Sequence, residues 1–113
     1  MKVIKRDGTI VNYDRQKIVV AIEKANQDVR MNERATREDI KLIINYIEGL
    51  DKTRMLVEDI QDIIEQKLME LDRYKLAKEY IVYRYTRALI REQNAIDITG
   101  ATGTYGPNNI TML

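Results

Sequence analysis

Isoleucines at positions 40, 43, 44 and 47 recur at the spacing that places all four on one face of an α-helix. The segment also carries the ends of a helix. Thr36 offers an N-cap, Glu38 and Asp39 favour the positive end of the helix dipole, and Gly49 offers a stop. A chain carrying such a stripe must bury it, and three further stripes supply the partners. Asp14 can cap a helix whose apolar side is Ile18, Ala21, Ile22, Ala25 and Val29. Glu58 and Asp59 open another with Ile60, Ile63, Ile64, Leu68 and Leu71. The longest is predicted over residues 74–93, with Leu76, Ala77, Tyr80 and Ile81 as its stripe. Residues 27–35 and 51–54 read as connectors, so the chain is mainly α.

Ahead of the helices, the β-branched pairs Val3-Ile4 and Ile10-Val11 flank Asp7-Gly8, which predicts a β-hairpin over residues 3–13. A two-residue turn at Asp7-Gly8 would pair Arg6 with Thr9 and Lys5 with Ile10. Val3, Lys5 and Ile10 would then share one face, and Ile4, Arg6 and Val11 the other. Met55-Leu56-Val57 is either a third strand or the entry to the third helix, and periodicity does not choose between them. From Asn94 the texture turns to Asn, Thr and Gly with the only proline, Pro107. This divides the chain into a domain over residues 1–93 and a flexible tail or linker over residues 94–113.

Composition closes many functional routes. The 113 residues suit one modest core, and 19 Lys and Arg against 18 Asp and Glu give a net charge of +1. No general attraction to nucleic acid or to a membrane surface is expected. Cysteine and histidine are both absent, which removes thiol nucleophiles, zinc-thiolate sites and imidazole acid–base chemistry. With no EF-hand spacing and no Gly-rich phosphate loop either, a regulatory or binding module is expected rather than an enzyme, with no metal held by protein side chains. The early charges of Met1-Lys2-Val3-Ile4-Lys5-Arg6 do not fit a signal peptide, and no apolar run approaches membrane-spanning length. A cytoplasmic location is therefore expected.

The fourth helix holds the most informative anomaly. Its apolar stripe continues as Arg84, Arg87 and Arg91, whose steps of three and four keep them within about 60° of one another. Arginine does not shed its charge, so guanidinium groups drawn toward an interior need carboxylates, carbonyls or a bound anion. Phosphate matches the planar guanidinium fork. The simpler alternative is that these side chains reach solvent or pair with surface acids. Lys5 and Arg6 can equally be ordinary charges beside a turn, and Lys17 an ordinary surface residue.

Taken in order, however, Val3-x-Lys5-Arg6-Asp7-Gly8, Lys17-Ile18, Val57-Glu58-Asp59-Ile60-Gln61-Asp62 and Ala77-Lys78-x-Tyr80-Ile81-x-Tyr83-Arg84-x-x-Arg87 resemble the ATP-cone family over about residues 2–92. The last segment is most similar to cones that precede anaerobic, glycyl-radical ribonucleotide reductases. The resemblance implies a four-helix bundle capped by a small mixed β-sheet that contains the N-terminal hairpin. It implies ATP or dATP as effector, with Mg²⁺, bound between cap and helices. Lys5, Arg6, Lys17 and Arg87 would approach the triphosphate; Val3, Ile18 and Val57 would line the base pocket, with Gln61 near it. Arg84 joins them from the arginine stripe alone. Val11 stands where some relatives place an acidic group near the nucleotide. The implied partner is a ribonucleotide reductase catalytic domain or subunit, with nucleotide-dependent association and a homo-oligomer as one form of it.

Two rival classes differ from this. A helical protein–protein adaptor would use the basic stripe on an acidic partner and bind no nucleotide. A nucleotide-responsive DNA-binding repressor would need a four-cysteine zinc ribbon, which this chain lacks.

Overall fold

The computed structural model describes residues 1–99. Two short strands, β1 (Lys2–Ile4) and β2 (Ile10–Asn12), precede α1 (Arg15–Asn26); a 3₁₀ turn at Met31–Glu33 leads to α2 (Arg37–Gly49). Strand β3 (Arg54–Leu56) runs directly into α3 (Val57–Glu70), and α4 (Tyr74–Thr99) follows. The fold is thus mainly α, with four helices and a three-stranded mixed sheet of order β2-β1-β3. β1 pairs antiparallel with β2 and parallel with β3. The parallel pairing needs a long crossover, which β2, α1 and α2 provide.

The short apolar run at 55–57 resolves as both of its readings, for Met55 and Leu56 lie in β3 while Val57 is the first residue of α3. The hairpin register differs from the expected one by a single residue. Val3 pairs with Val11 and Ile4 with Ile10. Lys5 N–H donates to Thr9 O at 2.8 Å and Gly8 N–H to Lys5 O at 2.9 Å, so the loop is Arg6-Asp7-Gly8, with Gly8 at φ +87°. A type I turn closed by a left-handed glycine forms this three-residue loop as readily as Asp-Gly forms a two-residue one. The slip changes the faces. Val11 now joins the buried Val3, and Ile10 becomes exposed.

The helix ends follow the local chemistry. Asp14 accepts from Gln16 N–H at 2.9 Å to cap α1. Thr36 and Asp39 cap α2 reciprocally, Asp39 N–H donating to Thr36 Oγ1 at 3.1 Å and Thr36 N–H to Asp39 Oδ2 at 2.9 Å. The left-handed stop beyond α2 is Asp51 at φ 54°, whereas Gly49 stays inside the helix. Asp72 at φ 59° ends α3, with Arg73 N–H reaching back to Leu68 O and Asp72 N–H to Met69 O, the paired bonds of a Schellman motif. Asp is one of the few residues other than Gly that enters this region at modest cost. α4 continues past its expected end at 93 to Thr99. No glycine or proline interrupts the sequence before Gly100. The remainder of the expected tail, residues 100–113, lies outside the described residues.

The chain divides into two units inside α4, Met1–Tyr80 and the part from Ile81 onward. In the first unit one core gathers Ile18, Ile22 and Ala25 of α1, the whole isoleucine stripe of α2, Ile60, Ile64 and Leu68 of α3, and Leu76, Ala77 and Tyr80 of α4. Ala35 lies in it as well, and Val3 of β1 and Met55 of β3 join it, which fastens the sheet onto the helices through its inner face.

Candidate functional site

The expected site begins at the hairpin tip. Asp7 Oδ1 accepts from Thr9 N–H at 2.9 Å, an Asx turn that shapes the loop. Hydrogen bonding from the Thr9 side chain, then from its amide, holds the Asp7 carboxyl below its ordinary value. Asp7 therefore spends its charge inside the tip. Lys5 and Arg6 precede it and are exposed. Arg6 Nε lies 3.3 Å from Glu58 Oε1, in the first turn of α3.

That ion pair agrees with the sheet register. Because Ile4 stands beside Leu56 in the parallel pair, the two chains leave the sheet side by side, one into the tip and the other into Val57 and Glu58. Val57 is half-buried against the core. Gln61, one helical turn after it, is partly buried as well. The Gln61 Oε1 atom is buried without a hydrogen-bond partner among the described residues. A buried amide oxygen left in this state costs stability unless something else donates to it.

Lys17 sits in the first turn of α1, exposed, with no salt bridge among the described residues, and the neighbouring Ile18 is buried in the core with Val3. Val3 and Ile18 are 8% and 6% exposed, so they are core residues first, and a ligand would meet only their edges. In the first unit the structure thus associates Lys5, Arg6, Val57 and Gln61 through the sheet register and one ion pair, and joins Val3 to Ile18 through the core. Arg84 and Arg87 belong to the second unit, one turn apart on α4, the former partly buried and the latter exposed.

Two features escaped sequence reasoning. Glu58 was expected only as a charge suited to a helix start, and its pairing with a residue 52 positions away has no local signature. The other is a cluster around Glu48, near the C-terminus of α2. Glu48 accepts from the Tyr13 hydroxyl at 2.8 Å and from Arg15 Nε at 3.0 Å, with an Arg15 Nη2 contact completing a fork. The Arg15 hydrogen bond is the main reason that the Glu48 carboxyl lies below its ordinary value, and Tyr13 assists.

Two depressions on the described surface lie elsewhere. One of about 490 Å³ is lined by Met1, Tyr13, Asp14, Arg15, Glu48, Asp51 and Lys52. Another of about 250 Å³ is lined by residues 32–33 and 72–75. Neither contains a residue of the expected site. Their principal cations are already committed, Arg15 to Glu48, Arg73 to Asp39 and Lys75 to Glu33. The tip and the starts of α1 and α3 therefore remain the better candidate, because Lys5 and Lys17 are exposed and form no salt bridge among the described residues. No helix among the described residues is long and apolar enough to cross a membrane.

Comparison with known proteins agrees with the sequence pattern. Residues 1–89 match the family described as ATP cone domain. The chain is 34% identical over 108 residues to the ribonucleoside-diphosphate reductase subunit alpha of Chlamydia trachomatis, covering 86% of this chain and 10% of that protein. It is 37% identical over 102 residues to the vitamin B12-dependent ribonucleoside-diphosphate reductase of Thermoplasma acidophilum, covering 84% and 13% respectively. To the anaerobic ribonucleoside-triphosphate reductase of Haemophilus influenzae it is 31% identical over 112 residues, covering 98% and 16%. The chain thus spans between a tenth and a sixth of these relatives, and three kinds of reductase match it to a similar degree.

Proposed function

This chain belongs to the ATP-cone family, and on that premise we propose that it is a non-catalytic regulatory module that binds ATP or dATP and transmits occupancy to a ribonucleotide reductase catalytic domain or subunit. The domain responsible spans residues 1–93. Lys5 and Arg6 from the hairpin tip and Lys17 from α1 grip the triphosphate. Several fixed cations are needed to offset a tail of about four negative charges, and Mg²⁺ accompanying the nucleotide would lower that demand. The protein supplies no metal ligand in this reading. Val3, Ile18 and Val57 bound the slot for the base, and the buried, unpartnered Gln61 Oε1 accepts from the base's amino group.

The observation that carries the reading is the association of the Lys5-Arg6 tip with the start of α3 through the β1·β3 register and the Arg6–Glu58 pair. Occupancy changes reductase behaviour, in this reading, through altered association of catalytic subunits. Each effector shifts that balance only by its differential affinity for the two arrangements. The Tyr83-Arg84-x-x-Arg87 ending supports an anaerobic parent enzyme.

Calorimetric titration with MgATP and MgdATP tests the proposal. Saturable binding of at least one is expected, with Lys5→Ala at least several-fold weaker and equally well folded. No heat from either nucleotide at millimolar concentration, with the protein folded, would overturn it.

A further inference from the structure

The hairpin tip is closed largely upon itself. Lys5 and Thr9, Gly8 and Lys5, and Asp7 and Thr9 bond to one another within five residues. A tip of this kind is a semi-rigid unit whose position depends on what ties it to the helices. Arg6 and Glu58 provide such a tie, at 3.3 Å, with side chains 35% and 54% exposed. Glu58 sits in the first turn of α3, the positive end of the helix dipole, where a negative side chain is favoured.

We propose that Glu58 is an internal competitor for the anion that Arg6 binds, so that a polyphosphate must displace the carboxylate and thereby frees the hairpin tip from α3. This rests on the nucleotide-binding reading above and extends it to how occupancy is sensed. Arg6 carries one positive charge. When a phosphate takes its guanidinium, the two anions are brought close together, and repulsion drives Glu58 away. The exchange converts ligand binding into a change at one defined joint, between the β1–β2 turn and the first turn of α3. An exposed pair is weak enough to be broken by a ligand and strong enough to bias a small element. The exchange is non-covalent.

The test is a double-mutant cycle read by calorimetry with MgATP, using the intact chain, Glu58→Gln, Arg6→Gln and the double variant. Beside it, the Arg6 Nε–Hε resonance is recorded without nucleotide. Glu58→Gln is expected to tighten MgATP binding by about two- to five-fold and to shift the Arg6 Nε–Hε resonance. In the Arg6→Gln background the same change is expected to alter affinity by less than about 1.5-fold, because the competitor has lost its object. An equal gain in both backgrounds would show simple repulsion of phosphate by Glu58 and would overturn the proposal. Unchanged or weaker binding by Glu58→Gln, with the wild type binding well, would overturn it while leaving the nucleotide reading intact. Absence of binding by every variant, wild type included, would overturn both.

Discussion

The Tyr13 hydroxyl donates to Glu48 Oε2 at 2.8 Å, joining the residue that follows β2 to the last turns of α2 across 35 positions of sequence. Arg15 closes on the same carboxylate from the first turn of α1. One side chain therefore fastens the hairpin exit, α1 and α2 together.

This fastening sets the acid limb of stability. The Glu48 carboxyl is held below its ordinary value of 4.5, chiefly by Arg15. A depressed carboxyl contributes stability that is present above the ordinary value and is lost as pH falls through the lowered one. The melting temperature should therefore fall as pH drops below about 4.5, and Glu48→Gln should lower it at neutral pH and flatten that acid limb. Asp7, also lowered, leaves a residual slope in the Gln variant. Parallel melting curves against pH for wild type and Glu48→Gln would contradict this assignment.

The phase of α2 can be checked with adjacent residues. Ile43 is fully buried, whereas Leu42 is 51% exposed. Truncating Ile43 to Ala should cost about 2–5 kcal/mol, from lost burial and the cavity left behind. The same truncation at Leu42 should stay within about 0.5 kcal/mol. Urea denaturation of both variants separates the two, and similar losses would mean that the helix is rotated.

At the hairpin tip, Gly8 lies at φ +87° with nothing within 4 Å of where a Cβ would stand. A substitution there meets no clash, only an unfavourable backbone conformation. Gly8→Ala should therefore cost about 1 kcal/mol and Gly8→Asn distinctly less, since Asn tolerates this region. Equal losses in chemical denaturation would point to crowding instead.

How legible these elements were depended on whether their determinants are local. The cap at Thr36 and the stripe from Ile40 to Ile47 could be read directly, because both lie within one helix and its first turn. The hairpin was legible but its register was not: Asp7-Gly8 serves a two-residue and a three-residue loop equally, and only the pairing of Val3 with Val11 decides. Gly49 looked like the end of α2, yet Asp51 takes the left-handed position two residues later. In the candidate site, the ordered motifs marked Lys5, Arg6, Lys17 and Gln61 from sequence. The carboxylate opposite Arg6 was invisible, because an ion pair between residues 6 and 58 exists only once β1 and β3 lie side by side.

MgATP is held to bind at the hairpin tip and the starts of α1 and α3. Backbone amide shifts recorded by NMR during an MgATP titration test it most directly. Saturable shifts are expected, concentrated at Val3, Lys5, Arg6, Gly8, Lys17, Val57 and Gln61. Shifts concentrated instead around Tyr13, Glu48 and Lys52, at the depression beside α2, would contradict it.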